Sequence, residues 1–226
     1  MVDKLMTLLN VGEEWVLYLL FAVSIVCVAL IIERAVVLHK AKGNLEQLKD
    51  KLLGFLSSGN MDGAKKYFSS EGSGPAAMAS AAFAALDRSP EALQESIEAE
   101  VTVQRMKLER GLDFLGSVGS NAPFVGLFGT VLGIIQAFQA LAHATNAEPT
   151  KIMAGIASAL VATAVGLGVA IPALVAYNYY KGIVRDIMRA GGILCKPLMS
   201  YSLDKELGRP VGLEGKKDNK KAESEG

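Results

Sequence analysis

Charge is spread so unevenly along this 226-residue chain that the gaps dictate the fold class. No Asp, Glu, Lys or Arg falls in 114–147, a run of 34 residues, or in 152–180, a run of 29. A third gap runs Trp15–Ile32. A helix needs roughly 20 apolar residues to cross the hydrocarbon of a bilayer, so three spans is the natural count. Composition agrees: 51% of residues are hydrophobic, only 7% are aromatic and 23 are glycine, the balance of a helical membrane protein. The expected fold class is an all-α integral membrane protein, with three transmembrane helices whose long helices extend into a helical cytoplasmic domain. Lys+Arg and Asp+Glu each number 23, so no basic field argues for nucleic acid. Cys27 and Cys195 are the only cysteines and build neither a disulfide framework nor a metal spacing.

In chain order, 1–14 reads as an outer segment and 15–38 as the first membrane helix, with Trp15 and Tyr18 where aromatic residues favour the membrane boundary. Glu33 and Arg34 after its apolar run read as an ion pair near the inner end. The run is long and lacks a small-residue cleavage site, so it reads as retained rather than as a signal peptide. Residues 39–113 form a cytoplasmic helical domain, 114–142 the second span and 143–151 an outer loop. Residues 152–180 form the third span, 181–207 a cytoplasmic helix and 208–226 a disordered charged tail. Arg34, Lys40, Lys42, Lys49 and Lys51 flank the first exit, and Lys181, Arg185 and Arg189 the third. The other side offers Lys4 and Lys151, so the positive-inside rule places the N-terminus outside and the C-terminus in the cytoplasm.

Within 39–113, Leu45, Leu48, Leu52, Phe55 and Leu56 predict an amphipathic helix stopped at Gly59-Asn60. Residues 61–68 read as a short helix, Ser69–Pro75 as a flexible joint and Ala76–Leu86 as an alanine-rich helix. Ser89-Pro90-Glu91 is a helix start. The apolar stripe Leu93, Ile97, Val101, Leu108, Leu112, Leu115 then predicts one continuous helix from 90 to 142, bent near Gly116, Gly119 and Pro123.

The second span, with Asn121–Ala142 at its centre, is rich in glycine. Gly126, Gly129 and Gly133 leave one side of it almost bare backbone, a design that suits very close approach by another helix or another protein. Gly155, Ala159, Ala162, Gly166 and Ala170 form a matching small-residue ridge on the third, where Pro172 interrupts the backbone ladder. Thr130 and Thr163 lie at matching depth on these faces. One threonine in a membrane helix ordinarily bonds the carbonyl of its own preceding turn; two at one level on adjacent antiparallel helices also suit a narrow polar path. Gln136 and Gln139 suit interhelical hydrogen bonds, and His143 a solvated place at the outer edge.

The sequence holds no nucleophile–base set, phosphate loop or metal cluster, which argues against an enzyme. An ion-coupled machine needs a carboxylate in the membrane. Neither the second nor the third span has one, so an ion pathway here needs an acid from another chain.

APFVGLFGTVLGIIQAF (122–138) and GIASALVATAVGLGVAIPALVAYN (155–178) resemble the two signatures of the MotA/TolQ/ExbB family. LERGLDFLGSVGSNAP (108–123), the three spans and the large loop after the first are similar to the TolQ/ExbB branch rather than to four-span MotA. The layout covers roughly 12–190. The resemblance implies a bacterial inner-membrane pentamer of this chain around two helices of a TolR/ExbD/MotB-like single-span partner whose membrane aspartate carries the ion. It implies that Thr130 and Thr163 face that aspartate, and it matches Pro123 and Pro172 to the family's span prolines. It implies no cofactor, only transported H+ or Na+, with work passed to a TonB/TolA-like or motility protein. One departure is sharp: where many relatives read G-I-(A/S)-E-A-L, Ser158 stands in the acidic slot, which fits motor-like relatives, gliding motors among them, at least as well. The expected mechanism has ion binding neutralise the aspartate and release it from the niche near Thr130 and Thr163. The rival readings are a passive scaffold clamping a partner's membrane anchor, and a small secondary transporter.

Overall fold

The computed structural model describes residues 14–143 and 149–209. The described residues form helices joined by short turns: α1 Glu14–Lys42, α2 Leu45–Ser58, α3 Met61–Glu71, α4 Gly74–Ala85, α5 Pro90–Glu109, α6 Leu112–His143 and α7 Pro149–Glu206. They divide into two compact units, one of residues 1–35 with 110–181, the other of 36–109 with 182–226. The outer N-terminal segment, the 143–151 loop and the charged tail fall wholly or mostly outside the described residues.

Among the described residues, three helices are long and apolar enough to cross a membrane. Without water in the bilayer core backbone N–H and C=O groups must be satisfied inside the chain, which these helices do apart from the ladder bonds lost at Pro123 and Pro172. In the first unit α6 and the first half of α7 run antiparallel, with Gly119 against Leu174 and Gly126 against Ala162 and Gly166. The start of α1 joins their core through Val16 and Leu20, which are buried with Ala122, Leu132, Val169 and Ala170. At the other end the Tyr180 hydroxyl donates to the Ile31 carbonyl at 2.8 Å, fastening α7 to α1. The expected ion pair of Arg34 with Glu33 forms at 2.5 Å.

The second unit is built around α4. Ala76, Ala79, Ala82 and Phe83 are fully buried, and Phe83 stacks on Phe68 of α3 with ring centroids 5.6 Å apart. The far half of α7 supplies Ile187, Leu194 and Leu198 to the same core. Gly191 is a notch for Met78: a methyl group there would lie 1.9 Å from the thioether sulfur. Local chemistry sets the short helices. Asn44 caps α2 by accepting from the backbone N–H groups of Glu46 and Gln47, and Gly59 ends it at φ 68°. Asn60 caps α3 in turn through the Gly63 N–H at 2.9 Å.

Several boundaries differ from the sequence reading. The flexible joint expected over Ser69–Pro75 shrinks to Gly72-Ser73, because α3 runs to Glu71. There the Glu71 carboxylate accepts from both the backbone N–H and the hydroxyl of Ser73. The single helix expected from 90 to 142 is two, parted at Arg110-Gly111. Gly111 has φ +77°, a left-handed conformation that ends α5 without a Cβ clash. The apolar stripe runs through this break because Leu108 before it and Leu112 and Leu115 after it are all buried; periodicity reports burial, not continuity. The bend expected at Gly116, Gly119 and Pro123 does not interrupt the helical assignment of α6. The third span and the helix after it are one 58-residue helix.

Candidate functional site

The site begins with missing side chains. A Cβ built on Gly126 would lie 2.7 Å from the Ala162 carbonyl oxygen and 3.0 Å from the Thr163 Cα. One on Gly166 would lie 2.7 Å from the Ala122 carbonyl oxygen, and one on Gly129 2.8 Å from the Ala162 Cβ. The backbones of α6 and α7 therefore touch, as small residues allow in membrane helices. The contact runs alongside Thr130 and Thr163.

At that separation two short hydroxyls meet. The oxygens of Thr130 and Thr163 are 2.8 Å apart. Thr130 is 6% exposed and also bonds its own preceding turn, with the Leu127 carbonyl at 2.8 Å and the Gly126 carbonyl at 3.3 Å. The Thr130 hydroxyl thus satisfies a carbonyl of its own helix and also meets Thr163 across the hairpin. Thr163 is half-buried, so it is the more reachable of the two.

The head of α1 braces this level from behind. Val16 is fully buried, with its Cγ1 3.2 Å from the position of a Cβ on Gly129. The Trp15 ring stands edge-on to Phe128 with centroids 6.3 Å apart. Gly129 is thus a junction of three helices, one residue before Thr130. Nothing in the pattern of α1 singles out Val16, because a valine in an apolar run carries no mark of what it faces.

The other expected residues divide. Gly133 is buried, and Gly155 makes only ordinary contact, 3.5 Å from a built Cβ to the Ala137 methyl. Ser158 and Pro172 are exposed and Pro123 is half-buried. Gln136 is half-buried, while Gln139 and Asn178 are exposed. The His143 side chain lies outside the described residues. The bare faces were expected to suit close approach by another helix or another protein, and in this chain Gly126, Gly129 and Gly166 are occupied by the α6–α7 contact. Sequence spacing identified a close approach without identifying the neighbour. The Tyr180 hydroxyl holds a carbonyl of α1. No sequence signal marks that pairing, 149 residues apart.

Comparison with known proteins places this geometry. The chain is 46% identical to the Tol-Pal system protein TolQ of Pseudomonas aeruginosa over 96 residues, 41% of this chain and 42% of that one. It is 54% identical to the TolQ of Haemophilus influenzae over 71 residues, 31% of each. It is 37% identical to the biopolymer transport protein ExbB of Salmonella typhimurium over 112 residues, 49% of this chain and 46% of that one. The matched stretches span under half the length of these curated relatives. The family model described as the MotA/TolQ/ExbB proton channel family matches residues 72–190, which include α4, α5, α6, the threonine pair and the first part of α7. With more than half of its residues inside that match, this chain belongs to the MotA/TolQ/ExbB proton channel family.

Proposed function

We propose that this chain is the channel subunit of a bacterial inner-membrane motor. With a TolR/ExbD/MotB-like single-span partner it converts proton or sodium motive force into mechanical work on envelope or motility machinery. The observation that carries the reading is the 2.8 Å contact of the Thr130 and Thr163 hydroxyls within charge-free stretches of α6 and α7. Residues 114–142 and 152–180 contain no Asp or Glu, so the group that takes up the ion is an acid on the partner's span. The pair supplies the neutral, polar half of the pathway. Ser158, exposed on this chain, leaves the pathway wall without the carboxylate that many relatives carry there.

In this reading five copies ring two partner helices, with the N-terminus outside and the C-terminus in the cytoplasm. The backbone contact through Gly126 and Gly166 gives each hairpin the rigidity to hold position while the partner helix moves. The names of the relatives, a Tol-Pal system protein and a biopolymer transport protein, support work directed at the cell envelope. The reading is tested with Thr130→Ala and Thr163→Ala in cells. Each variant should abolish the driven work while protein level and co-purification with the partner stay near normal. If both variants work normally, the pair is not on the pathway.

A further inference from the structure

We infer that the threonine pair presents hydrogen-bond acceptors only, and so holds an approaching carboxylic acid in its protonated form; this rests on the reading above that the pair faces a partner's acid. A hydroxyl has one proton and two lone pairs. Thr130 Oγ1 has three oxygen neighbours: the Leu127 carbonyl at 2.8 Å, the Gly126 carbonyl at 3.3 Å and the Thr163 hydroxyl at 2.8 Å. A carbonyl can only accept, so the Thr130 proton goes to its own preceding turn, Leu127 above all. The short contact between the two hydroxyls then has one donor left, Thr163.

Both protons are therefore committed inside the chain. What the half-buried Thr163 still offers is oxygen lone pairs. A protonated acid can donate its O–H to that oxygen and disturb nothing. An ionised carboxylate needs a donor, and obtains one only if Thr163 abandons Thr130, itself 6% exposed. Charges nearby do not reverse the preference. Residues 114–142 of α6 and 152–180 of α7 contain no Asp, Glu, Lys or Arg, and neither does Trp15–Ile32 of α1. Glu14 heads α1, one residue before Trp15, while Glu33 and Arg34 lie at the opposite end of that apolar run. Within these stretches the remaining titratable groups are Tyr18 and Cys27 of α1 and Tyr177, Tyr179 and Tyr180 of α7; His143 ends α6, and the nearest charged residues beyond the stretches of α6 and α7 are Asp113, Lys151 and Lys181. The order expected from sequence, in which neutralisation releases the acid from the pair, is thereby reversed: neutralisation lets the pair hold it.

The test titrates the acid itself. The chain is co-reconstituted in liposomes with its TolR/ExbD-type partner, isotopically labelled at the span aspartate, and the infrared carboxyl band of that aspartate is followed against pH. Thr163→Val removes the acceptor but keeps the branched shape. It should lower the midpoint by roughly half a unit to one unit, the equivalent of one hydrogen bond, and Thr163→Ser should restore it. Repeating the series in Glu14→Gln separates any effect of the carboxylate that heads α1. Co-purification of the partner establishes that each variant assembles, and Thr163→Ala is the substitute if the valine variant does not. A midpoint that rises in Thr163→Val means the pair donates to the ionised form, which overturns the inference and leaves the pathway reading standing. An unmoved midpoint in an assembled variant overturns both, because the pair then does not touch the acid.

Discussion

Gly126→Ala puts the hairpin geometry at risk with a single methyl group. The added carbon would lie 2.7 Å from the Ala162 carbonyl oxygen, 3.0 Å from the Thr163 Cα and 3.2 Å from the Gly166 Cα. All three neighbours are backbone, so no side chain can turn aside. Restoring ordinary contact of about 3.4 Å requires the helices to part by roughly 0.7 Å. If the whole separation is taken along their contact, the Thr130–Thr163 distance grows from 2.8 Å towards the outer limit of a hydrogen bond. Overpacking of this kind costs about 1–3 kcal/mol. Gly168, two residues after Gly166 in α7 and with nothing within 4 Å of a built Cβ, is the control. There alanine gains up to about 1 kcal/mol of helix propensity with no clash. The assay is denaturant unfolding of the purified chain in detergent, read by the fluorescence of Trp15, the single tryptophan, which packs beside this level against Phe128. Gly126→Ala should lower the midpoint and Gly168→Ala should hold or raise it. Equal shifts of the same sign in the two variants would refute backbone contact between α6 and α7.

Three further outcomes follow from single contacts. Gly191→Ala places a methyl 1.9 Å from the Met78 sulfur and should destabilise the chain by about 1–3 kcal/mol, with Met78→Ala in the double variant recovering part of the loss by the same unfolding assay. Tyr180→Phe removes the 2.8 Å bond to the Ile31 carbonyl and should cost about 0.5–1.5 kcal/mol, whereas Tyr180→Ala, which also empties a ring site 6% exposed, should cost several times more. Burial pushes the Cys195 thiol from its ordinary 9.0 up to about 12. Its folded pKa lies above its unfolded one, so the stability it contributes is whole below pH 9 and is lost as pH rises towards 12. At pH 8 alkylation of Cys195 should therefore track unfolding, and fast labelling of the folded chain would contradict its burial.

Much of the architecture was legible because charge is so costly in hydrocarbon. The charge-free residues Trp15–Ile32, 114–142 and 152–180 lie in helices able to cross a membrane. Local signals in the second unit also held where chemistry is short-range: Gly59 takes the left-handed conformation at the stop of α2, and the Ser89 hydroxyl accepts from the Ala92 N–H at the start of α5. The matching depth of Thr130 and Thr163 was readable from spacing along two antiparallel helices. What spacing does not encode is the identity of a neighbour. The bare sides at Gly126 and Gly166 read equally well as a seat for a foreign helix, and only coordinates show each filled by the other hairpin arm. The break at Gly111 was hidden for a related reason, since Leu108, Leu112 and Leu115 are all buried on either side of it. The direction of the hydrogen bond between the threonines depends on Leu127 and Gly126 carbonyls, backbone atoms that no residue pattern marks.

The central claim is that this chain supplies hydroxyls and a neighbour supplies the acid. Proton flux into liposomes containing the chain with its TolR/ExbD-type partner tests it most directly, compared with the Thr130→Val/Thr163→Val double variant and with the partner's span aspartate changed to asparagine. Flux should be present in the native pair and lost in both altered complexes, with the subunits still co-purifying. Equal flux in all three, or none in any while the complex still performs its work in cells, would contradict the claim and leave a passive clamp for a membrane anchor.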